Sequence, residues 1–154
     1  TRYLETGNTP STLDSLRQYL IRFEDSCTDL IFAIVDRASD QHIGNVTLNR
    51  INPVHLTTDT GLMIGRKEFW AKGIAFEAWS LVIEYAFKSL GMRKILAGAI
   101  AGHVASIKTL KKLGFRVEGT LRKEVLVEGE FRDKLILGLF REEFQKFATG
   151  SNSG

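Results

Sequence analysis

Cysteine is almost absent from this chain, since Cys27 is the only one among its 154 residues. A single thiol excludes an internal disulfide and a zinc site built from cysteines. The sequence also lacks an apolar run near the roughly 20 residues that a membrane-spanning helix needs, and no signal-like segment opens it. No set of residues shows metal-ligand spacing. We therefore predict a cytoplasmic protein without a metal and without a membrane partner.

Net charge is also small, at +3, and basic residues alternate with acidic ones along most of the chain. This pattern disfavours nucleic-acid binding through bulk electrostatics. The hydrophobic fraction of 44% and the charged fraction of 25% are typical of ordinary globular proteins. The length is sufficient for one domain with a substantial core.

Hydrophobic periodicity predicts alternating strands and helices without an internal repeat. The predicted strands cover residues 31–35, 42–50, 56–65, 94–100, 116–127 and 131–140, and the predicted helices begin at Thr9, Lys72 and Val104. Elements in this order predict an α/β or α+β fold, with a mixed sheet and helices on its faces. Residues 1–146 are predicted to form a single domain, and residues 147–154 a flexible tail.

One segment carries a chemical signal of its own. The apolar residues 60–65 lead through a short basic loop into a helix that opens at Lys72-Gly73-Ile74-Ala75. The first amides of a helix have no internal acceptor, and the helix dipole places partial positive charge there. Gly73 and Ala75 leave the backbone open to a phosphate, and Lys72 adds a mobile cation. This segment predicts a site for a phosphorylated cofactor.

Four blocks of the chain resemble one protein family. They are residues 70–75, 91–95, 105–115 and 118–133, which occur in the family's order and spacing. Together they resemble the GNAT superfamily of N-acetyltransferases, and the form Trp-x-Lys-Gly-x-Ala is similar to its RimJ/RimL-like branch. The resemblance covers roughly residues 10 to 145. It implies that the family's usual first strand lies before Thr1.

The resemblance implies a sheet that opens between two central parallel strands, residues 56–65 and 94–100. It also implies acetyl-CoA as co-substrate, with pantetheine pairing along the first of these strands and the pyrophosphate resting on the amides of residues 71–76. The cofactor-binding residues that it implies are Met63, Ile64, Trp70, Ala71, Lys72, Gly73, Ile74, Ala75, Phe76, His103, Ser106 and Lys111.

Some of these residues have simpler interpretations. Trp70 stands where the family has Arg or Gln, and it fits a packing residue at the base of the loop. Lys72 fits a solvated charge, and Ser106 fits a polar residue in the first turn of its helix. The simpler interpretation of Lys111 is a place on the solvent-exposed face of an amphipathic helix, together with Lys108 and Lys112.

Two positions depart from the family pattern. His103 stands where relatives commonly have an Asn that bonds the cofactor, so it is a candidate for cofactor contact and, because imidazole titrates near neutral pH, for catalysis. Leu110 stands where many relatives have a Tyr that protonates the leaving thiolate. A leucine side chain cannot donate a proton, and Leu110 fits the apolar stripe of a helix instead.

The implied reaction is direct attack of a primary amine on the thioester, assisted by a general base. Asp59 matches a position where relatives often carry a Glu that faces the acceptor, so it is the first candidate for that base, with His103 the second. A solvated carboxylate at a strand entry is the alternative for Asp59. No Ser-His-Asp pattern or paired-carboxylate motif competes with this scheme.

The acceptor is open at this point: a protein N-terminus, a small amine and an amino sugar all fit. The acceptor groove of such a fold is expected near Arg2, Tyr3, Arg122 and Arg132, where an anionic acceptor would be favoured. We predict a monomer or homodimer that does not bind nucleic acid. A catalytically silent acyl-CoA-binding module is the alternative function.

Overall fold

A computed structural model describes residues 26–70 and 72–144. Its strands are β1 (Leu30–Asp36), β2 (Gln41–Asn52), β3 (Thr57–Ile64), β4 (Lys94–Ile100), β5 (Arg116–Val127) and β6 (Glu130–Phe140), and its helices are α1 (Ile74–Lys88) and α2 (Val104–Lys112). The predicted helix at Thr9, the predicted site residues Arg2, Tyr3 and Ala71, and the predicted tail 147–154 lie outside the described residues. The other predicted elements are confirmed to within about two residues at their ends.

The strands form one mixed sheet in the order β1-β2-β3-β4-β6-β5. Strands β1 to β3 pair antiparallel with one another, and so do β4, β6 and β5. The two antiparallel groups meet where β3 runs parallel to β4. This arrangement confirms the expected mixed sheet with two parallel strands at its centre.

The two central strands part halfway along their length. Residues 57–60 of β3 pair with residues 94–97 of β4, and the pairing between them ends there. Beyond that point β3 stays paired with β2 as far as Ile64, and β4 stays paired with β6 as far as Ile100. We call the gap between residues 61–64 and residues 98–100 the cleft. It is the opening that the resemblance implied.

The main core lies between one face of the sheet and the two helices. Helix α1 buries a stripe at helical spacing, consisting of Trp79, Val82, Ile83, Ala86 and Phe87. These side chains belong to one cluster with Leu110 of α2 and with alternate residues of the central strands, such as Ile95 and Leu139. Because successive strand residues point to opposite faces, Asp59, Leu96 and Gly98 lie on the other face.

No helix in residues 26–70 and 72–144 is long and apolar enough to cross a membrane. Within the same ranges, no group of three or more His, Cys, Asp or Glu side chains is placed to hold a metal ion.

Candidate active site

The end of β3 and the start of α1 form a turn with exposed main-chain donors. Gly73 is the N-cap of α1, has a φ of 75°, and receives no capping bond from a side chain. The first intrahelical bond runs from the Glu77 amide to the Gly73 carbonyl, at 3.1 Å. By helix geometry, the Ile74 and Ala75 amides therefore lack an intrahelical acceptor and point out of the helix. We call Gly73, Ile74 and Ala75 the anion turn.

Two lysines lie beside the anion turn. Lys72 Nζ is 5.5 Å from the centre of the Phe69 ring, and Lys112 Nζ is 4.6 Å from the centre of the Phe76 ring. Lys112 comes from the last turn of α2, so the anion turn receives positive charge from the loop before α1 and from α2. The predicted cofactor residue Lys111 is the neighbour of Lys112 on α2, and both side chains are exposed, so its role stays a prediction. Sequence reasoning could not show that Lys112 lies over Phe76, because that contact depends on how α2 packs against α1.

The direction of the main chain at the cleft follows from the β2–β3 ladder. Gly44 and Ile64 are opposite each other, and the Gly65 amide donates to the Ile43 carbonyl at 2.9 Å. This bond identifies Gly44 and Ile64 as a non-hydrogen-bonded pair, so the main-chain groups of Ile64 and of Leu62 point away from β2. They face the cleft. Met63 lies between them, and its main chain faces β2.

Trp70 ties the loop before α1 to this edge. Its indole Nε1 donates to the Ile64 carbonyl at 2.9 Å, while the side chain is 47% exposed. The bond joins the residue at the end of β3 to the loop that leads into the anion turn. The bond holds Trp70 at the base of the loop, whereas its role in packing stays a prediction because the residue is exposed.

If the anion turn holds the phosphates of acetyl-CoA, as the resemblance implies, Trp70→Phe should raise the KM for acetyl-CoA about three- to tenfold and change kcat less than twofold. The substitution keeps a ring but removes one hydrogen bond, which is worth about 0.5–1.5 kcal/mol, and so loosens the anion turn. Steady-state kinetics with acetyl-CoA varied measures the effect. Trp79→Phe is the matched control, because the Trp79 indole N–H is buried and makes no hydrogen bond in the described structure. An equal KM change in both variants would contradict the role given to Trp70.

His103 and Ser106 stand at the other side of the cleft, at the start of α2. The His103 amide donates to the Ile100 carbonyl at 2.9 Å, which fixes this residue just beyond the end of β4. Both side chains are half-buried. Burial lowers the pKa of His103 below its ordinary value of 6.5, because a charged imidazolium loses solvation there. At pH 7 the ring is therefore mostly neutral and able to accept a proton.

Asp59 lies deeper, in the part of β3 that still pairs with β4. It is opposite Leu96, and its carboxylate forms an ion pair with the Arg50 guanidinium. Leu96 and Ile100 are four residues apart, which is about 13 Å along a strand. Asp59 and His103 are consequently too far apart to share a proton.

The predicted acceptor residues Arg122 and Arg132 lie on the β5–β6 hairpin. Arg122 lines a groove of about 780 Å³ in the widened part of that hairpin. Arg132 pairs with Glu130 at 2.9 Å. Leu110 of α2 is fully buried, so the predicted replacement of a proton donor by a core leucine agrees with its position.

The chain matches the family model described as Acetyltransferase (GNAT) domain over residues 1–116. It is 33% identical over 113 residues to an uncharacterized N-acetyltransferase p20 of Bacillus licheniformis, covering 73% of this chain and 63% of the relative. It is also 31% identical over 101 residues to spermidine N(1)-acetyltransferase of Escherichia coli K12, covering 66% and 54%. The chain therefore spans less than two thirds of the length of either relative.

The fold is also shared with solved structures. A spermidine N-acetyltransferase of Vibrio cholerae, in complex with CoA and spermine, superposes with a TM-score of 0.79. That similarity covers 87% of this chain and 78% of the Vibrio chain at 22% identity, so it bears on the fold alone. The family model, which spans three quarters of the sequence, decides the family. This chain belongs to the GNAT acetyltransferase family.

Proposed function

We propose that this domain is an acetyl-CoA-dependent N-acetyltransferase that acetylates a primary amine. The observation that carries the proposal is the cleft between β3 and β4, which opens beside the anion turn of α1. A parted sheet leaves main-chain donors and acceptors that need partners, and the anion turn supplies amides and positive charge for phosphate. The two features suit the two polar parts of coenzyme A.

The residues of this chain fit that substrate. Leu62 and Ile64 would offer main-chain groups to pantetheine, which moves the predicted Met63 contact one residue to either side. Gly73 leaves open space, since a Cβ added there would have no neighbour within 4 Å. Ile74 and Ala75 would donate amides to the pyrophosphate, and the lysines beside the anion turn would add charge. Phe76, His103 and Ser106 stay in the proposed cofactor site.

The reaction requires few catalytic side chains. When bound, acetyl-CoA supplies the thioester whose carbonyl carbon the amine attacks. The protein must remove a proton from the ammonium, and general-base assistance is worth about 10²- to 10⁴-fold. Main-chain amides along the cleft are suited to stabilise the negative charge that develops on the thioester oxygen. Binding both substrates in the orientation needed for reaction supplies much of the remaining rate enhancement.

Asp59 is the proposed base, because it lies at the closed end of the cleft. His103 is proposed as a cofactor contact, since it stands beyond the end of β4. If His103 were the base, its lowered pKa would give a rate that is constant near pH 7 and falls only as the pH drops through a value below 6.5. The same lowered pKa means that the unfolded chain takes up this proton first, so the stabilising contribution of neutral His103 is lost as the pH falls below 6.5.

Asp59→Asn should lower kcat about 10²-fold, at the low end of the range for a general base, and His103→Asn should keep kcat within about threefold. Arg50→Gln is the matched control: it breaks the ion pair with Asp59 but leaves the carboxylate in place. Steady-state rates from pH 5 to pH 8 measure all three variants. Equal losses in Asp59→Asn and Arg50→Gln would show that Asp59 only holds the arginine.

We propose a small amine as the acceptor, supported by the relatives that are named for spermidine. A protein N-terminus, which the RimJ/RimL-like branch would favour, and an amino sugar are the other candidates. We further propose that residues 1–146 form one domain, and that the protein is metal-free, cytoplasmic and a monomer or homodimer.

Incubating the protein with acetyl-CoA and a panel of amines tests the function directly. Thiol release shows turnover, and mass spectrometry of the products identifies the acetylated amine. Transfer to at least one amine is expected. The alternative, a silent acyl-CoA-binding module, predicts tight binding of CoA by calorimetry and no product with any acceptor.

A further inference from the structure

The two central strands separate directly before a glycine on each strand. Thr60 and Ala97 are the last residues that pair between β3 and β4. The next residues are Gly61 on β3 and Gly98 on β4, and we call this point the fork. Gly98 lies on the sheet face away from the main core, which we call the far face, and so does Gly61, two residues from Asp59. Neither strand therefore has a side chain on the far face at the fork.

Close neighbours explain two other glycines of the sheet. A Cβ added to Gly44 would overlap the carbonyl oxygen of Met63, and a Cβ added to Gly138 would overlap the carboxylate of Glu118. At both positions, glycine is needed because another group already occupies the space. These two glycines therefore have a purely structural explanation.

Packing does not require the fork glycines to the same degree. Neither Gly61 nor Gly98 has a positive φ. Among the described residues, a Cβ on Gly61 would have one neighbour within 4 Å, Thr47 Oγ1 at 3.3 Å, and the atom nearest to a Cβ on Gly98 would be Cε of the flexible Lys134, at 2.9 Å. A glycine inside a strand weakens the strand and often marks the close approach of a ligand. The fork glycines fit that second role.

The main chain of Gly98 faces the cleft. The Ala101 amide donates to the Asp133 carbonyl at 2.8 Å, which identifies the pair that Ile100 forms with β6 as non-hydrogen-bonded. The pair that Gly98 forms with β6 lies two residues along the same ladder and is of the same kind, so the main-chain groups of Gly98 point away from β6. They point towards β3, at the level where the pairing with β3 ends.

The core fills the opposite side of the fork. The side chains of Thr60, Ala97 and Ala99 point to the core and are at most 6% exposed, and Leu62 packs against the same core cluster. The proposed cofactor would occupy the cleft itself, from the anion turn to the fork. An acceptor that has to meet the thioester at the fork is therefore left with the far face.

We propose that Gly61 and Gly98 determine how much bulk the acceptor can carry beside its amine, and that they leave room at the fork for a branched carbon next to the nitrogen. This inference rests on the proposed function and narrows its acceptor. The attacking nitrogen must lie about 3–3.5 Å from the thioester carbon, so the carbon that carries it lies beside the positions where the two missing side chains would stand. Asp59, the proposed base, is on the same face, about 7 Å along β3 from Gly61.

The test compares two isomeric amines, n-butylamine and sec-butylamine, of which only the second is branched at the carbon that carries the amine. The wild-type protein should acetylate both, with values of kcat/KM within about fivefold of each other. Gly61→Ala and Gly98→Ala should each lower the ratio of kcat/KM for sec-butylamine to that for n-butylamine about tenfold, because one methylene group changes selectivity about 10- to 200-fold in an enzyme pocket. The KM for acetyl-CoA should change less than twofold.

Gly119→Ala is the matched control. Gly119 also lies in a strand without a positive φ, and an added Cβ would have no described neighbour within 4 Å. It belongs to β5, which β6 separates from β4, so this variant should keep the wild-type ratio. Because the measure is a ratio within one protein sample, partial unfolding cannot produce the expected change.

The possible failures can be told apart. If Gly61→Ala or Gly98→Ala keeps the wild-type ratio, or if Gly119→Ala lowers it equally, the fork glycines do not set the acceptor's bulk, while the acetyltransferase function stands. Acetylation of n-butylamine but not of sec-butylamine by the wild-type protein, or of neither when another amine is acetylated, has the same meaning. If no amine is acetylated although CoA binds, the proposed function fails and this inference falls with it.

Discussion

Gly73→Val is expected to raise the KM for acetyl-CoA about 10²- to 10⁴-fold. Gly73 has a φ of 75° at the N-cap of α1, where a β-branched residue is strained. Its side chain would extend into the space that the phosphate needs. Displacing a phosphate from two amides removes two charge-assisted hydrogen bonds of about 1.5–3 kcal/mol each, which sets the size of the effect. Steady-state kinetics and direct calorimetric binding of CoA both measure it.

Gly91→Val is the matched control for this experiment. Gly91 has a φ of 69°, and like Gly73 it has no atom within 4 Å of the position where a Cβ would stand. Backbone strain should therefore be similar in the two variants, and their melting temperatures should fall by similar amounts. Gly91 follows the other end of α1, far from the anion turn. A comparable loss of CoA binding in Gly91→Val would show that strain, and not the phosphate site, explains the first result.

Gly114→Ala should lower the free energy of unfolding by about 2–5 kcal/mol. Its φ is 108°, and a Cβ would overlap the main-chain oxygen of Glu143 and press on Leu139. The expected loss combines about 1–2 kcal/mol of backbone strain with about 1–3 kcal/mol of overpacking. Urea denaturation measures it, provided that the slope with denaturant stays constant.

Gly129→Ala separates the two contributions. Gly129 lies between β5 and β6, with a φ of 81° and nothing within 4 Å of an added Cβ. In Gly129→Ala the free energy of unfolding should therefore fall only by the contribution of backbone strain. A loss in Gly114→Ala that is no larger than that in Gly129→Ala would mean that the contact with Glu143 relaxes at no cost.

The elements of the fold could be predicted because they follow local rules. The apolar stripe of α1 repeats at three and four residues, and Gly73 and Gly91 bracket it, so both its existence and its ends are visible in the sequence. The position of the anion turn follows from the same signals. The separation of β3 and β4 could be predicted only from the family resemblance, since no local sequence pattern marks where two strands stop pairing.

Contacts between elements could not be predicted in the same way. The β2–β3 register shifts between Asn49 and Asn52, and this irregularity accompanies the contact between Arg50 and Asp59. The main-chain directions of Leu62, Met63 and Ile64 depend on that same register, because a slip of one residue reverses every main-chain direction. The position of Lys112 beside Phe76 depends on how two helices pack. Each of these observations concerns tertiary contacts between separate elements, and a single sequence carries no direct signal for such contacts.

The four residue pairs that join β3 to β4 have a mechanical consequence. The sheet consists of two antiparallel leaves, and in the described chain only residues 57–60 and 94–97 connect them by strand pairing. Hydrogen exchange should therefore find these amides less protected than those of β6, which is paired on both edges. A ligand that binds both leaves would stabilise the native state. At a ligand concentration of a hundred times its Kd, the gain is about 2.7 kcal/mol. Within the described residues, strand pairing between the leaves is short, and it ends where the proposed cofactor would lie between them.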